Sequence, residues 1–414
     1  MPETRSPHPG MRFTEFVALV AALMATNALG VDTMLPALQQ ISTTLGVTSG
    51  NMAQRIIVIY LIGFGAAQII YGPLIDRFGR KPVLLAGMAG YVLCSLAVAC
   101  AGSFEIVLLA RGLQGVAAAV SRVVAVTIVR DSYAGRPMAR VISLSFMVFL
   151  SVPVFAPSIG QAILLTGLSW RWIFVGLAGF GLLVLLWVAL RLPETLRLDD
   201  RRPISVGNIA RSYGRIFTCR LWLGYTLAAA GVFGGLLGFI VSSQQVFLDV
   251  FKAPKLFPIV FAGVAASIAL ASLVNARLVE RLGMRLLSHA ALLGFIASAC
   301  IHALVAYTGH ETIWSFAILQ SCMMFCFGLM MGNFNAIAME PVGHLAGSAA
   351  AAAGCFTTVA GAVIGALIGQ NFDGTVIPLT EGFAYTGVGT LALVLVTERG
   401  RLFHRPVTPT VTAN

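Results

Sequence analysis

Twelve stretches of about 20 or more predominantly apolar residues follow one another along this chain, and few folds accommodate that pattern. They lie near 14–36, 54–75, 82–102, 106–130, 139–165, 171–192, 221–247, 256–276, 286–308, 312–336, 348–370 and 378–398. A backbone crossing hydrocarbon must satisfy its own N–H and C=O groups, which leaves helices or a closed barrel. The runs are continuous and lack the in–out alternation of barrel strands, so each predicts a transmembrane helix. Composition agrees: 58% of the 414 residues are hydrophobic and 10% are charged, where a soluble domain carries about a quarter charged residues. The first run follows Arg5 and Arg12 as a signal peptide would. It reaches about Pro36 and contains Asp32, so it is read as a retained first span. The last run carries Glu381 inside it and is the weakest of the twelve.

A net charge of +11 raises the question of nucleic acid. The distribution answers it. Placing the N-terminus in the cytoplasm puts 21 of the 27 lysines and arginines on that side. Arg55, Arg171, Lys252 and Lys255 lie on the other side, and Arg111 and Arg122 fall inside the fourth span. That bias orients a membrane protein with both termini cytoplasmic and faces the excess charge toward anionic lipid. A nucleic-acid footprint is not expected.

Six of the seven cysteines sit in apolar runs, and Cys219 lies in a basic loop. Cys322 and Cys326 share a helix face without a histidine or third cysteine, so they read as small apolar residues rather than a metal site. No cofactor or metal is expected. The chain has no HExxH, GxSxG or GxxxxGK[ST] pattern, so it is not read as an enzyme.

The spans divide six and six around a polar stretch. Residues 1–192 form the expected N-terminal bundle, 193–220 a cytoplasmic linker and 221–414 the C-terminal bundle. A displaced echo supports duplication: GPLIDRFGRK at 72–81 and ARLVERLGMR at 276–285 align at a shift of 204 residues. Asp76 falls on Glu280, Arg77 on Arg281, Gly79 on Gly283 and Lys81 on Arg285. Repeats that place a binding site at their interface are a transporter design.

These residues also resemble a known family. GPLIDRFGRKPVLL at 72–85 is similar to the loop between helices 2 and 3 of the major facilitator superfamily. VDTMLPAL at 31–38 and WRWIF at 170–174 resemble its bicyclomycin and chloramphenicol resistance branch, RGLQG at 111–115 its helix 4 motif, and MEPVGHLAGSAAA at 339–351 its helix 10–11 segment. The resemblance implies a twelve-helix drug:proton antiporter of the bacterial inner membrane, working as a monomer on small-molecule substrates and protons. The antiporter motif of the fifth helix departs from the family pattern. It reads APSIGQ at 156–161, keeping Pro157 and Gly160 but not the preceding glycine or the glycine pair.

Asp32 is the one acid well inside a span, where a charge is costly. It is either the proton carrier or a helix-end aspartate. Arg111 and Arg122, about three turns apart, share a face. Arg111 lies near the depth of Asp32 and is its expected partner, with the contact weakening on proton binding. Arg122, with Asn27, Gln114 and Gln244, is a candidate for the substrate cavity, against the alternatives of snorkelling or helix bridging. Gly72, Asp76, Arg77, Gly79 and Arg80, with Asp131 as partner of Arg80 as the resemblance suggests, are read as a cytoplasmic gate between bundles, or else as a solvated turn. Pro157 and Gly160 join them as conformational residues. Gly361, Gly365 and Gly369 predict a close helix contact. Phe146, Phe149, Phe155, Phe233 and Phe239 suit an apolar pocket, or core and lipid contact. Export is the favoured direction; metabolite uptake or a non-transporting sensor are the rivals.

Overall fold

The structure, a computed structural model, describes residues 11–47, 50–133, 135–201 and 206–403. Twelve long helices run through them. They are α1 (Phe13–Asp32), α2 (Arg55–Phe78), α3 (Arg80–Ala99), α4 (Phe104–Ser132), α5 (Gly135–Leu165), α6 (Arg171–Arg191), α7 (Arg220–Gln245), α8 (Phe257–Leu282), α9 (Met284–Tyr307), α10 (Ile313–Met339), α11 (Ala346–Gln370) and α12 (Ile377–Thr397). Among the described residues eleven helices are long and apolar enough to cross a membrane, and α5 adds an apolar stretch over Ser151–Leu165. No strand occurs among the described residues. The chain is an all-α integral membrane protein.

Local chemistry explains the ends. Pro36 has no N–H to continue a helix. The first span therefore stops at Asp32, and a 3-10 turn, Leu35–Ala37, carries the chain into a short helix, Leu38–Thr44. Ser103 caps α4 by accepting from the Ile106 N–H at 3.3 Å. Gly79 and Gly283 break α2 from α3 and α8 from α9 at φ +100° and +82°, a region open to glycine. The expected linker contains a helix, Val206–Phe217. Its Tyr213 hydroxyl donates to the Ile69 carbonyl at 3.5 Å, and its Phe217 ring packs on Trp222 and Phe356.

Apolar side chains point outward as well as inward. Leu93, Leu183, Leu304 and Val396 are each more than 60% exposed on four different helices. An apolar belt of this kind faces lipid, since water-soluble monomers keep such patches small. The successive antiparallel spans leave two faces. One carries the α2–α3, α4–α5, α6–α7 and α8–α9 connections and the basic residues, and is called the basic face below.

Helices α1–α6 pack chiefly on one another, as do α7–α12. Between the two groups α2 meets α11 and α5 meets α8. The glycine ladder of α11 lies against α7. A Cβ on Gly365 would stand 2.7 Å from the Leu237 Cβ and 2.9 Å from the Gly238 nitrogen, so any side chain there would push the helices apart.

Candidate functional site

The first group encloses a polar cluster near the face opposite the basic one. Helices α2 and α4 touch backbone to backbone: a Cβ on Gly115 would fall 2.0 Å from the Tyr60 carbonyl oxygen, and one on Gly63 2.3 Å from that of Gly112. This approach seats Arg111, which is fully buried, with its Cζ 4.2 Å from the centre of the Tyr60 ring. Arg111 Nη1 donates to Gln114 Oε1 at 2.7 Å, and its Nε to the Ile56 carbonyl at 3.4 Å. Gln114 Nε2 donates to Ser95 Oγ at 2.6 Å, and Ser95 to the Tyr91 carbonyl at 2.7 Å.

Asp32 closes α1 at the same level, 4% exposed and joined to no cation among the described residues. The direct Asp32–Arg111 pair expected from depth is not formed. Gln114, the Ile56 carbonyl and the Tyr60 ring hold the guanidinium instead, and Tyr60 and Tyr91 fill the space toward α1. Their hydroxyls would stand 3.0 and 3.4 Å from a Cβ on Gly30, two residues before Asp32. Tyr60 Oη, Tyr91 Oη, Arg111 Nη2 and Asn27 Oδ1 are buried without a protein partner. Leaving a buried polar atom unpaired costs about 1–3 kcal/mol, so these atoms call for a partner that the protein itself does not supply here. Pro157 and Gly160 of α5 complete the surround. A Cβ on Gly160 would lie 1.9 Å from the carbonyl oxygen of Thr33, the residue after Asp32.

Beside this cluster the two groups are joined by uncharged side chains. Gln54, the residue before α2, hydrogen-bonds Gln245 of α7. Gln245 Nε2 donates to Asn51 Oδ1 at 3.0 Å, and Asn51 Nδ2 to the carbonyls of Gln370 and Phe372 at 3.1 and 3.0 Å. Gln370 returns a bond to the Asn51 carbonyl at 2.6 Å, and Gln244 donates to the Pro36 carbonyl at 3.4 Å. These bonds form a seam at the opposite face. Gln244 and Gln114, expected to line a cavity, are instead spent on the seam and on Arg111.

Arg122 is exposed. It lies about 2.5 turns from Leu113, which faces outward at 52% exposure, so it projects to the other side of α4, the side of Arg111. That inner side is sealed at Arg111 and accessible at Arg122, nearer the basic face. Phe233 stacks on Phe327, Phe239 on Phe261, and Phe155 faces outward. The side chains of Phe146 and Phe149 lie outside the described residues.

At the basic face Arg80 is buried and central. Its Nε donates to Asp131 at 3.0 Å, its Nη1 lies 3.1 Å from Asp76 and 2.8 Å from the Ile75 carbonyl. Glu194 caps α3 by accepting from the backbone N–H groups of Arg80 and Lys81 at 2.9 and 3.1 Å. The side-chain partners of Arg80 lie in the first group and Glu194 lies in the linker, with no partner from the second group among the described residues. The expected gate between bundles is therefore, in this conformation, a clamp within the first bundle and its adjoining linker. Gly72 has open space around it, and Arg77 lies over the Phe78 ring at 5.4 Å. The second group repeats the clamp. Arg285 pairs with Glu340 at 3.1 Å and with Glu398 at 2.9 Å, while Tyr225 donates to Glu398 at 2.7 Å and lies 2.9 Å from His289 Nε2.

Comparison with known proteins gives the ancestry. The Major Facilitator Superfamily model matches residues 20–366. The chain belongs to the major facilitator superfamily. Among curated relatives, an uncharacterised transporter of this type from Bacillus subtilis is 30% identical over 92% of this chain and 94% of its own. The bicyclomycin resistance protein homolog of Haemophilus influenzae is 28% identical over 93% and 96%. Multidrug resistance protein D of Escherichia coli is 25% identical over 93% of each. The crystal structure of a human organic anion transporter superposes with a TM-score of 0.66 at 15% identity, covering 94% of this chain and all of that one, and shares the fold.

Within this facilitator chain, the RGLQG segment gains a physical account: Arg111 and Gln114 bond each other one turn apart, and Gly115 admits α2. Sequence reasoning missed Tyr60, Tyr91 and Ser95 around Arg111, the seam amides Asn51 and Gln54, and the clamp acids Glu194, Glu340 and Glu398. One signal was present for the clamp, since Glu194 and Glu398 are also 204 residues apart.

The clamp yields a stability test. Arg80→Ala would strip a half-buried Asp131 of its cation, and is expected to cost about 2–3 kcal/mol. Lys81→Ala, at a half-buried neighbour whose Nζ donates to the Ala189 carbonyl, should cost less than about 1 kcal/mol. Thermal unfolding of both variants in detergent checks the difference.

Proposed function

We propose that this chain is a proton-coupled exporter of small, largely apolar molecules, working by alternating access in a bacterial inner membrane. The observation that carries the reading is Asp32: a buried carboxylate with no cationic partner among the described residues, set where α1 meets the seam. A proton arriving there neutralises a charge that hydrocarbon penalises. Residues 1–192 and 221–414 act as the two moving bundles, with 193–220 as their linker. The basic face is cytoplasmic by the positive-inside rule.

In this frame the seam is the closed outer gate, and the accessible side around Arg122 faces the cytoplasm. The arrangement fits the state after proton arrival, with Arg111 turned to Gln114 and Tyr60 rather than to Asp32. Substrate enters beside Arg122 and Asn27. Reformation of an Asp32–Arg111 contact on proton loss accompanies the return. The relatives named as bicyclomycin and multidrug resistance proteins support export of antibiotics.

The test is expression in a host lacking its own pumps, scored against unrelated antibiotics including chloramphenicol. Flux into everted vesicles with an imposed pH gradient then records direction. Resistance to several compounds, with accumulation in everted vesicles that collapses when the gradient is dissipated, is expected. Uptake of a single metabolite into right-side-out vesicles would replace the reading with symport.

A further inference from the structure

One cation inside the spans is left without a protein partner. Arg111 is held by Gln114, the Ile56 carbonyl and the Tyr60 ring. Arg122 makes no hydrogen bond, ion pair or ring contact among the described residues. At 1.5 Å per residue it lies about 15 Å along α4 from the basic end and about 16 Å from Arg111. The side chains of Ser121, Val124 and Ala125 around it are buried, while its own is accessible.

Two ordinary fates of a membrane arginine do not fit. Snorkelling carries the guanidinium to the headgroups along the lipid side of a helix. On α4 that side bears Leu109 and Leu113, 67% and 52% exposed, and Arg122 projects away from it. A counter-ion needs a buried acid at its own depth. Asp32 stands at the level of Arg111 instead, roughly three helical turns away.

What remains is an accessible cation in a recess entered from the basic face. Val126, 41% exposed, and Arg130, also exposed, follow it at successive turns of α4 toward that face. Among the described residues every carboxylate lies at the basic face, in helix ends, clamps and linker, or toward the opposite face, as Asp32, Glu311 and Glu381 do. The recess around Arg122 therefore offers a cation and an apolar surface. A cationic molecule would be repelled there, and one without an acceptor would leave the guanidinium unpaired.

We propose that Arg122 binds an acidic group of the exported molecule, so that the substrates are amphiphilic anions, each an apolar body bearing one carboxylate, sulfonate or phosphate-type group. Recognition of this kind rests on the export reading and narrows its cargo. A guanidinium presents its donors in a planar fork that matches such an oxyanion with two parallel hydrogen bonds. Val126 gives the apolar body a contact. Arg130 and the other cations of the basic face raise the local concentration of anions at the entrance.

The test compares two probes of similar shape, naphthalene-2-sulfonate and its neutral sulfonamide. Equilibrium dialysis against the full chain in nanodiscs of zwitterionic lipid, corrected for empty nanodiscs, reads their binding. The sulfonate should bind about tenfold or more tighter, the difference expected of a hydrogen bond to a charged group. Arg122→Gln should erase that preference. With no protein bond lost, this variant should unfold at the wild-type temperature; a drop of more than about 5 °C would make Arg122 a structural residue instead. A sulfonate that binds the wild type no tighter than the sulfonamide overturns the proposal without any variant, as does a preference that survives in Arg122→Gln. Flux separates this site from the export reading. Sulfonate preference with no accumulation of any compound in everted vesicles would keep the anion site and remove export. Accumulation of chloramphenicol by the wild type, with no sulfonate preference, would keep export and remove the anion site.

Discussion

Asp32→Asn is expected to abolish transport driven by a pH gradient while leaving substrate binding nearly intact. The amide keeps the shape of the side chain and its place beside Tyr60 and Thr33, but it can no longer gain or lose a proton. A site that cannot exchange a proton contributes no coupling free energy, so gradient-driven accumulation should fall by about 100-fold, at the upper end of typical coupling energies. Binding of chloramphenicol or another drug identified in the susceptibility screen should change by less than about threefold. The two quantities are read by vesicle flux and by equilibrium binding in detergent. Normal accumulation against a gradient by the variant would remove Asp32 from the coupling role. Loss of binding along with flux would make it a substrate contact instead.

Gly160→Ala tests the same corner of the protein from the other side. The added methyl would sit 1.9 Å from the Thr33 carbonyl oxygen. A backbone oxygen cannot step aside as a flexible side chain can, so α5 must move away from α1. Overpacking of this kind costs about 1–3 kcal/mol, and here it displaces the residue next to Asp32. The expectation is a lower unfolding temperature together with weakened transport. Gly176→Ala in α6, with nothing within 4 Å, is the matched control. It should be neutral or slightly stabilising, by up to about 1 kcal/mol, because alanine is the better helix former. Equal behaviour of the two variants would show that the α1–α5 approach is unimportant.

The parts of this fold that were legible in the sequence are those governed by local rules. Hydropathy marks each span because lipid imposes the same demand on every turn of helix. The glycines at 79 and 283 announce their turns, and Arg111 and Gln114 are close enough along α4 to predict contact. The seam was not legible. Asn51, Gln54, Gln245 and Gln370 are ordinary amides, and their partners lie 191 to 321 residues away. The Asp32–Arg111 expectation failed in this conformation for a related reason. Depth in the membrane can be counted along a helix, but competition from Tyr60, on a different helix, cannot. The clamp acids were readable in principle: the shift that aligns the two loops also carries Glu194 onto Glu398. Their roles diverged because Met284 stands where the first copy has Arg80. Glu194 therefore serves backbone N–H groups, while Glu398 serves the Arg285 guanidinium and the Tyr225 hydroxyl.

Among the described residues, the hydrogen bonds of the seam between the helix groups are made by amides and carbonyls only, and this has a mechanical consequence. A latch without ionised groups feels neither the membrane voltage nor the salt outside, and water can replace each of its bonds with little net change in free energy. The charged clamps, by contrast, do not join the two groups among the described residues: one holds the first group and the start of the linker, the other the second group. The molecule thus has stiff leaves and a weak latch. In the proposed cycle, a change in the charge on α1, a few residues from the Pro36 carbonyl that Gln244 holds, would tip the latch without having to unmake the leaves.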